Sequence, residues 1–142
     1  MVKQVSIFLE NRAGRLHEVT ELLSANNLNI RALSVADTSD FGILRLIVDD
    51  PDKAIDVLKK SNYTVSSTDV VAIEVMDKPG GLAKILGIFD KNNINVEYMY
   101  AFLAKIPEKA VLIFRFDDNK AVIEKLKGKD IKLIGAKELY NL

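Results

Sequence analysis

Residues 5–36, VSIFLENRAGRLHEVTELLSANNLNIRALSVA, and residues 71–102, VAIEVMDKPGGLAKILGIFDKNNINVEYMYAF, are one pattern written twice at a shift of 66 positions. Seven of the 32 aligned positions are identical, with no gap: Val5/Val71, Ile7/Ile73, Gly14/Gly80, Leu16/Leu82, Asn26/Asn92, Asn27/Asn93 and Asn29/Asn95. The apolar register carries more weight than the identities. Leu9/Val75, Val19/Ile85, Leu22/Ile88, Leu23/Phe89, Leu28/Ile94, Ile30/Val96 and Leu33/Met99 match in kind. Beyond a small insertion, GILRLIVDD at 42–50 lies over AVLIFRFDD at 110–118. A repeat of about 65–70 residues is large enough to be a small domain, which divides the chain at 1–68 and 69–142. No Gly/Ser/Pro linker intervenes, and the short join near 66–70 implies that the two domains pack side by side.

Each copy reads strand–helix–strand–strand–helix–strand. Residues 2–9 alternate as a strand does, and residues 13–25 set Leu16, Val19, Leu22 and Leu23 at helical spacing. Asn26-Asn27 closes that helix, because Asn tolerates a left-handed backbone. Strands at 29–36 and 42–48 flank a turn at 37–40. Pro51 opens a helix over 52–60, where its missing N–H is harmless, and 63–66 is a short last strand. The second copy places its elements at 70–75, 79–91, 95–104, 110–116, 120–127 and 131–134; residues 135–142 either extend or cap the sheet. Two βαββαβ units predict an α+β fold of two ferredoxin-like domains, each an antiparallel sheet with helices on one face. With Leu33 and Val35 as core positions matched by Met99 and Ala101, strand alternation sends Tyr98, Tyr100 and Phe102 to the helix-free face. Three aromatics open to solvent would be an apolar patch, which either forms an aromatic wall for a ligand or, as expected here, is buried in a two-fold homodimer.

Composition removes several classes. The 142 residues carry no net charge, so the usual electrostatic drive toward nucleic acid or anionic lipid is missing. With no cysteine and one histidine, thiolate nucleophiles and Cys- or His-rich metal centres are excluded. No apolar run reaches membrane-spanning length, and residues 1–15 lack a signal peptide's apolar centre. The expectation is a soluble cytoplasmic protein. No nucleophile–base pair, P-loop or dinucleotide fingerprint is present, which argues against an enzyme. The RNA-recognition fold shares the βαββαβ order, but it needs third-strand aromatics and a basic surface, and the first copy has GILRLIV there.

The chemistry sits in two strand-to-helix loops, NRAGRL at 11–16 and DKPGGL at 77–82. Gly14 and Gly80 let backbone approach another group closely, and Pro79 is preset for a first helical turn. The first N–H groups of a helix lack partners and attract a carboxylate or phosphate. Asn11 and Asp77 either cap these helices or turn an oxygen toward an ammonium group. Asn29 and Asn95 open the next strand, as turn residues or as second polar contacts.

The pairing of an [Asn/Asp]-x-[Pro/Ala]-Gly-x-Leu loop with an Asn-[Ile/Val] strand start, present in both copies, resembles the ACT domain family of small-molecule regulatory modules. The resemblance covers nearly the whole chain as two tandem domains. It implies binding of a free amino acid or similar small carboxylate where the loop of one such domain faces the second strand of another. Carried over by position, the ligand residues are Asn11, Ala13, Gly14, Arg15, Leu16 and Asn29 in the first copy. In the second they are Asp77, Pro79, Gly80, Gly81, Leu82 and Asn95. Ala13 stands where the family has proline, and Asp77 in place of Asn11 makes the two sites unequal.

His17 reads as solvent-facing, and the acidic runs at 49–52 and 117–118 read as complements to helix N-termini rather than a metal site. The expected function is therefore non-catalytic: amino-acid binding that regulates a separate enzyme or regulator, with no cofactor, metal, nucleic-acid or membrane partner. A ligand-free oligomerisation or docking module is the alternative.

Overall fold

Val5, Ile7 and Leu9 alternate with polar or exposed neighbours and build β1 (Val2–Glu10). It pairs antiparallel with β3 (Phe41–Val48), setting Val5 beside Leu46 and Ile7 beside Leu44. On that face lie α1 (Arg15–Ala25), which contributes Val19 and Leu23, and α2 (Pro51–Lys60), which contributes Ala54 and Leu58. All of these side chains are buried, and each fully buried aliphatic contributes about 1.5–3 kcal/mol. β2 (Ile30–Asp37) lies outside β3, and β4 (Thr64–Met76) lies beside β1, for the order β2-β3-β1-β4. The structure is a computed structural model that describes residues 1–37 and 40–142, Asp37 by its backbone alone. The middle of the turn expected at 37–40 therefore lies outside the described residues.

The chain forms two compact units, Lys3–Thr68 and Asp69–Leu142, the second also including Met1–Val2. The join expected near 66–70 is not a loop: β4 runs unbroken as one 13-residue strand. In the second unit β4 is followed by α3 (Gly81–Lys91), β5 (Val96–Phe102), β6 (Lys109–Phe116), α4 (Asn119–Leu126), β7 (Lys132–Ile134) and α5 (Ala136–Tyr140). The order is β5-β6-β4-β7, the same arrangement repeated. Val71, Ile73 and Val75 pack with Ile85, Phe89, Val122 and Leu126. Phe89 meets Phe114 and Phe116 edge-on at 5.3 and 5.4 Å, a favoured aromatic geometry. Residues 135–142 cap rather than extend the sheet: they form α5, whose Leu139 is fully buried. Among the described residues no helix is long and apolar enough to cross a membrane.

The asparagine signal is confirmed in atomic detail. Asn27, Asn62 and Asn93 hold φ of 56°, 67° and 54° just past α1, α2 and α3. Behind them, the N–H groups of Leu28, Tyr63 and Ile94 donate to the oxygens of Leu23, Leu58 and Phe89 at 2.9, 3.0 and 2.9 Å, which closes Schellman caps. The acidic runs act as helix caps: Asp50 accepts from the Lys53 N–H at 3.1 Å and Asp118 from the Ala121 N–H at 3.0 Å.

Two expectations need correction. Leu33 and Val35 face the helix side beside Leu46 and Leu44, but β2 is the outer strand and they stay 53% and 46% exposed. They are an apolar edge, not core. Tyr98, Tyr100 and Phe102 do take the helix-free face, opposite Arg115, Ile113 and Val111. They form no open patch, however, because Tyr100 and Phe102 are only 9% and 4% exposed within the single chain. Strand alternation gives the face a side chain takes, not how exposed it is there.

Gly81 and Gly87, on one helix, give a paired test of packing. A Cβ at Gly81 would run into the Met76 carbonyl oxygen, whereas one at Gly87 meets nothing within 4 Å. Gly81→Ala should lower unfolding stability by about 1–3 kcal/mol through overpacking. Gly87→Ala should raise it by about 0.5–1 kcal/mol. Denaturant midpoints for the two variants measure both; equal effects would contradict the close approach of α3 to β4.

Candidate functional site: two glycine turns at helix N-termini

Each strand-to-helix loop is a type II β-turn. The Arg15 N–H donates to Arg12 O at 3.4 Å and the Gly81 N–H to Lys78 O at 3.0 Å. Gly14 (φ 90°, ψ −16°) and Gly80 (φ 86°, ψ −7°) fill the turn position that requires positive φ. Ala13 and Pro79 precede them, so Pro79 presets the turn and not the first helical residue. Helices α1 and α3 consequently begin at Arg15 and Gly81, two residues later than periodicity suggested.

The capping role allowed for Asn11 and Asp77 is also corrected. Gly14 and Gly80 are the N-caps, with no side-chain capping bond. The backbone N–H groups of Asn11 and Asp77 donate to Asp40 O and Glu108 O, both at 2.9 Å, while their side chains are exposed. The first helical bonds run from Glu18 N–H to Gly14 O and from Lys84 N–H to Gly80 O, each at 3.0 Å. The amides of Leu16 and His17, and of Leu82 and Ala83, thus have no acceptor among the described residues. Such paired amides carry the positive end of the helix dipole.

The two loops border different cavities. The first opens on about 80 Å³ lined by Asn11, Arg15, Leu16, Val35, Gly42 and Leu44. The second borders about 300 Å³ lined by Pro79, Gly80, Gly81, Lys84, Asp130 and Lys132, without Asp77, Leu82 or Asn95. Asn29 does not join its own unit's loop: it lines a separate cavity with Thr20, Ser24 and Asp49, and its N–H donates to Asp49 Oδ1 at 3.2 Å. His17 is exposed, 3.4 Å from Glu21. Among the described residues no group of three metal-ligating side chains converges.

Two polar clusters escaped the sequence reading. Arg15 lies over the Tyr63 ring with Cζ 5.2 Å from its centre, and its Nη1 donates to Glu18 at 2.7 Å. The Tyr63 hydroxyl donates to the same carboxylate at 3.3 Å; burial raises the phenol's pKa, and Arg15 opposes the shift. On β4, Glu74 accepts from Lys109 at 3.0 Å and from Lys132 at 3.2 Å. One signal was visible for it: a lone carboxylate in the run VVAIEV at 70–75.

Burial alone would raise the Glu74 carboxyl, but the hydrogen bonds and charges of Lys109 and Lys132 prevail and hold its pKa below the ordinary value. A carboxyl lowered on folding stabilises the native state above its unfolded pKa of about 4.3, and the gain is lost as pH falls through the native value. Wild type should therefore lose stability on acidification below about pH 4.3, and Glu74→Gln should show a shallower loss over that range. Urea midpoints against pH measure this; parallel curves would show that Glu74 contributes nothing.

A search of curated proteins returns no match to the chain. Among solved structures, protein BT0572 of Bacteroides thetaiotaomicron is 46% identical, with a TM-score of 0.91, over 99% of this chain and 96% of that one. The regulatory subunits of aspartate kinase from Thermus thermophilus and Thermus flavus share the fold at 12% and 13% identity. Their TM-scores are 0.62 and 0.59, and each match covers 87% of this chain and 89% of the other. The family model described as an ACT domain pair matches residues 1–142, and the chain belongs to that family.

Proposed function

We propose that this ACT domain pair, with domains at 1–68 and 69–142, binds a free amino acid or similar small carboxylate at its glycine turns and performs no chemistry on it. The observation that carries this reading is the pair of unpartnered amides behind Gly14 and Gly80. A Cβ at either glycine would meet nothing within 4 Å, so the approach is open. A ligand carboxylate takes the amides. The exposed oxygen of Asn11 or Asp77 is suited to the ammonium group. The binding event regulates a separate enzyme or regulator.

Thermal unfolding of the full chain against each free amino acid tests this. One or a few should raise the midpoint by mass action. Asn11→Ala, which removes no cap, should weaken the effect with little change in unliganded stability. Gly14→Val and Gly80→Val should lose it at their loops. No shift with any amino acid would leave the docking-module alternative standing.

The reading includes a homodimer, now supported by the outer strand β2 instead of the aromatics on β5. Leu33 and Val35 are about half exposed on an eight-residue edge strand that lacks lysine and proline, the usual blockers of edge pairing. Sedimentation equilibrium should give twice the chain mass, falling toward one chain in Leu33→Glu/Val35→Glu. A wild type that stays monomeric at high micromolar concentration contradicts it.

A further inference from the structure

We propose that Arg15 makes the first glycine turn selective for a ligand carrying a second, side-chain carboxylate, such as an acidic amino acid, and that the second turn lacks this selectivity. The inference rests on the amino-acid reading above and names the ligand class for one of its two sites.

The repeat supplies the comparison. The two turns share dihedral angles, turn hydrogen bonds and helix starts, so residues 66 apart occupy matching places. At the place next to the free amides the first copy has Arg15 and the second has Gly81. No side chain fits at Gly81, where even a Cβ would run into the Met76 carbonyl oxygen. A cation at this place therefore belongs to the first turn alone. The neighbouring difference has the same sense: neutral Asn11 in the first copy, anionic Asp77 in the second. The first cavity carries Arg12 and Arg15 against Glu10. The second carries Lys78, Lys84 and Lys132 against Glu74 and Asp130, with Asp77 beside it. An additional ligand carboxylate is therefore attracted more strongly by the first.

Arg15 is also held ready. Its side chain is 21% exposed, stacked on Tyr63 and tied to Glu18 through Nη1. Its Nε is buried and has no acceptor among the described residues. A guanidinium offers five donors in a planar fork suited to a carboxylate, and a buried donor without an acceptor is unfavourable. Glu18 and Glu10, which pair with Arg15 and Arg12, are 48% and 55% exposed, so these contacts are weak and replaceable by a ligand. Arg15 lines the cavity of roughly 80 Å³ with Asn11 and Leu16, and on its other side the cavity of roughly 460 Å³ that holds Glu18 and Tyr63, so it stands between the free amides and open space. The α-carboxylate on the amides of Leu16 and His17 leaves the ligand side chain beside the guanidinium.

Calorimetric titration of the full chain with aspartate, glutamate, asparagine and glutamine tests the assignment. Wild type should bind at least one acid ten-fold or more tightly than its amide. Arg15→Met, which keeps an unbranched apolar side chain and removes the charge, should bind amides as before and lose the preference, while Arg15→Lys should keep part of it. Asn11→Asp, which imports the second turn's charge, should weaken acid binding more than amide binding, and it serves if Arg15→Met does not fold. Binding of neutral and acidic amino acids with equal affinity, or a preference that survives in Arg15→Met, overturns the role of Arg15 while leaving the amino-acid reading intact. No binding of any amino acid overturns both.

Discussion

A glycine held near φ +90° between a strand and a helix is the constraint on which the rest of the structure depends. At Gly14 and Gly80 the chain must reverse from a core strand into a helix that covers the same sheet. A type II turn does this in four residues, but only if the third adopts positive φ, which L side chains resist. The turn places its own hydrogen bond on the first helical amide. Among the described residues the next two amides have no acceptor, and no side chain caps them. Fold and candidate site thus have one origin: the turn that allows the helix to pack also points its dipole end outward with no Cβ in the way.

The two copies solve the same packing problem differently around that turn. In the second, α3 starts so close to β4 that only glycine fits at 81. In the first, the equivalent place holds Arg15, whose guanidinium lies over Tyr63 just before β4 and is met by Glu18. The two turns share dihedral angles and turn hydrogen bonds but differ in how closely the helix start approaches its strand and in the charge it carries. Similar divergence appears under the second turn. There Lys84 meets Asp130 at 2.6 Å, and Lys132 lies within reach of Glu74 and Glu138.

Much of the fold was legible because it repeats and because its signals are local. Strand alternation around Val5, Ile7 and Leu9, helical spacing through Val19 and Leu23, and the paired asparagines at helix ends each depend on a few adjacent residues. The turn glycines were legible for the same reason. What was not legible depends on residues far apart in sequence. Asn11 looks like a helix cap until the turn's own hydrogen bond moves the helix start past it. Tyr100 and Phe102 look exposed from alternation alone but are buried, and Leu33 looks buried until β2 proves to be the outer strand. The Glu74 cluster joins β4, β6 and β7, and no local pattern announces which lysines will reach it. Gly81 reads as a second loop glycine, whereas its cause is the carbonyl of Met76 five residues earlier.

The central claim is that the unpartnered amides behind the glycine turns are the ligand contact. The most direct measurement is a two-dimensional amide NMR spectrum of the labelled chain, titrated with a mixture of free amino acids and then with each active one. The account predicts saturable shifts centred on the amides of Leu16 and His17, of Leu82 and Ala83, or of both pairs. Saturable shifts confined to another region, such as the cavity between Thr20 and Asp49, or no saturable shift with any amino acid, would contradict it.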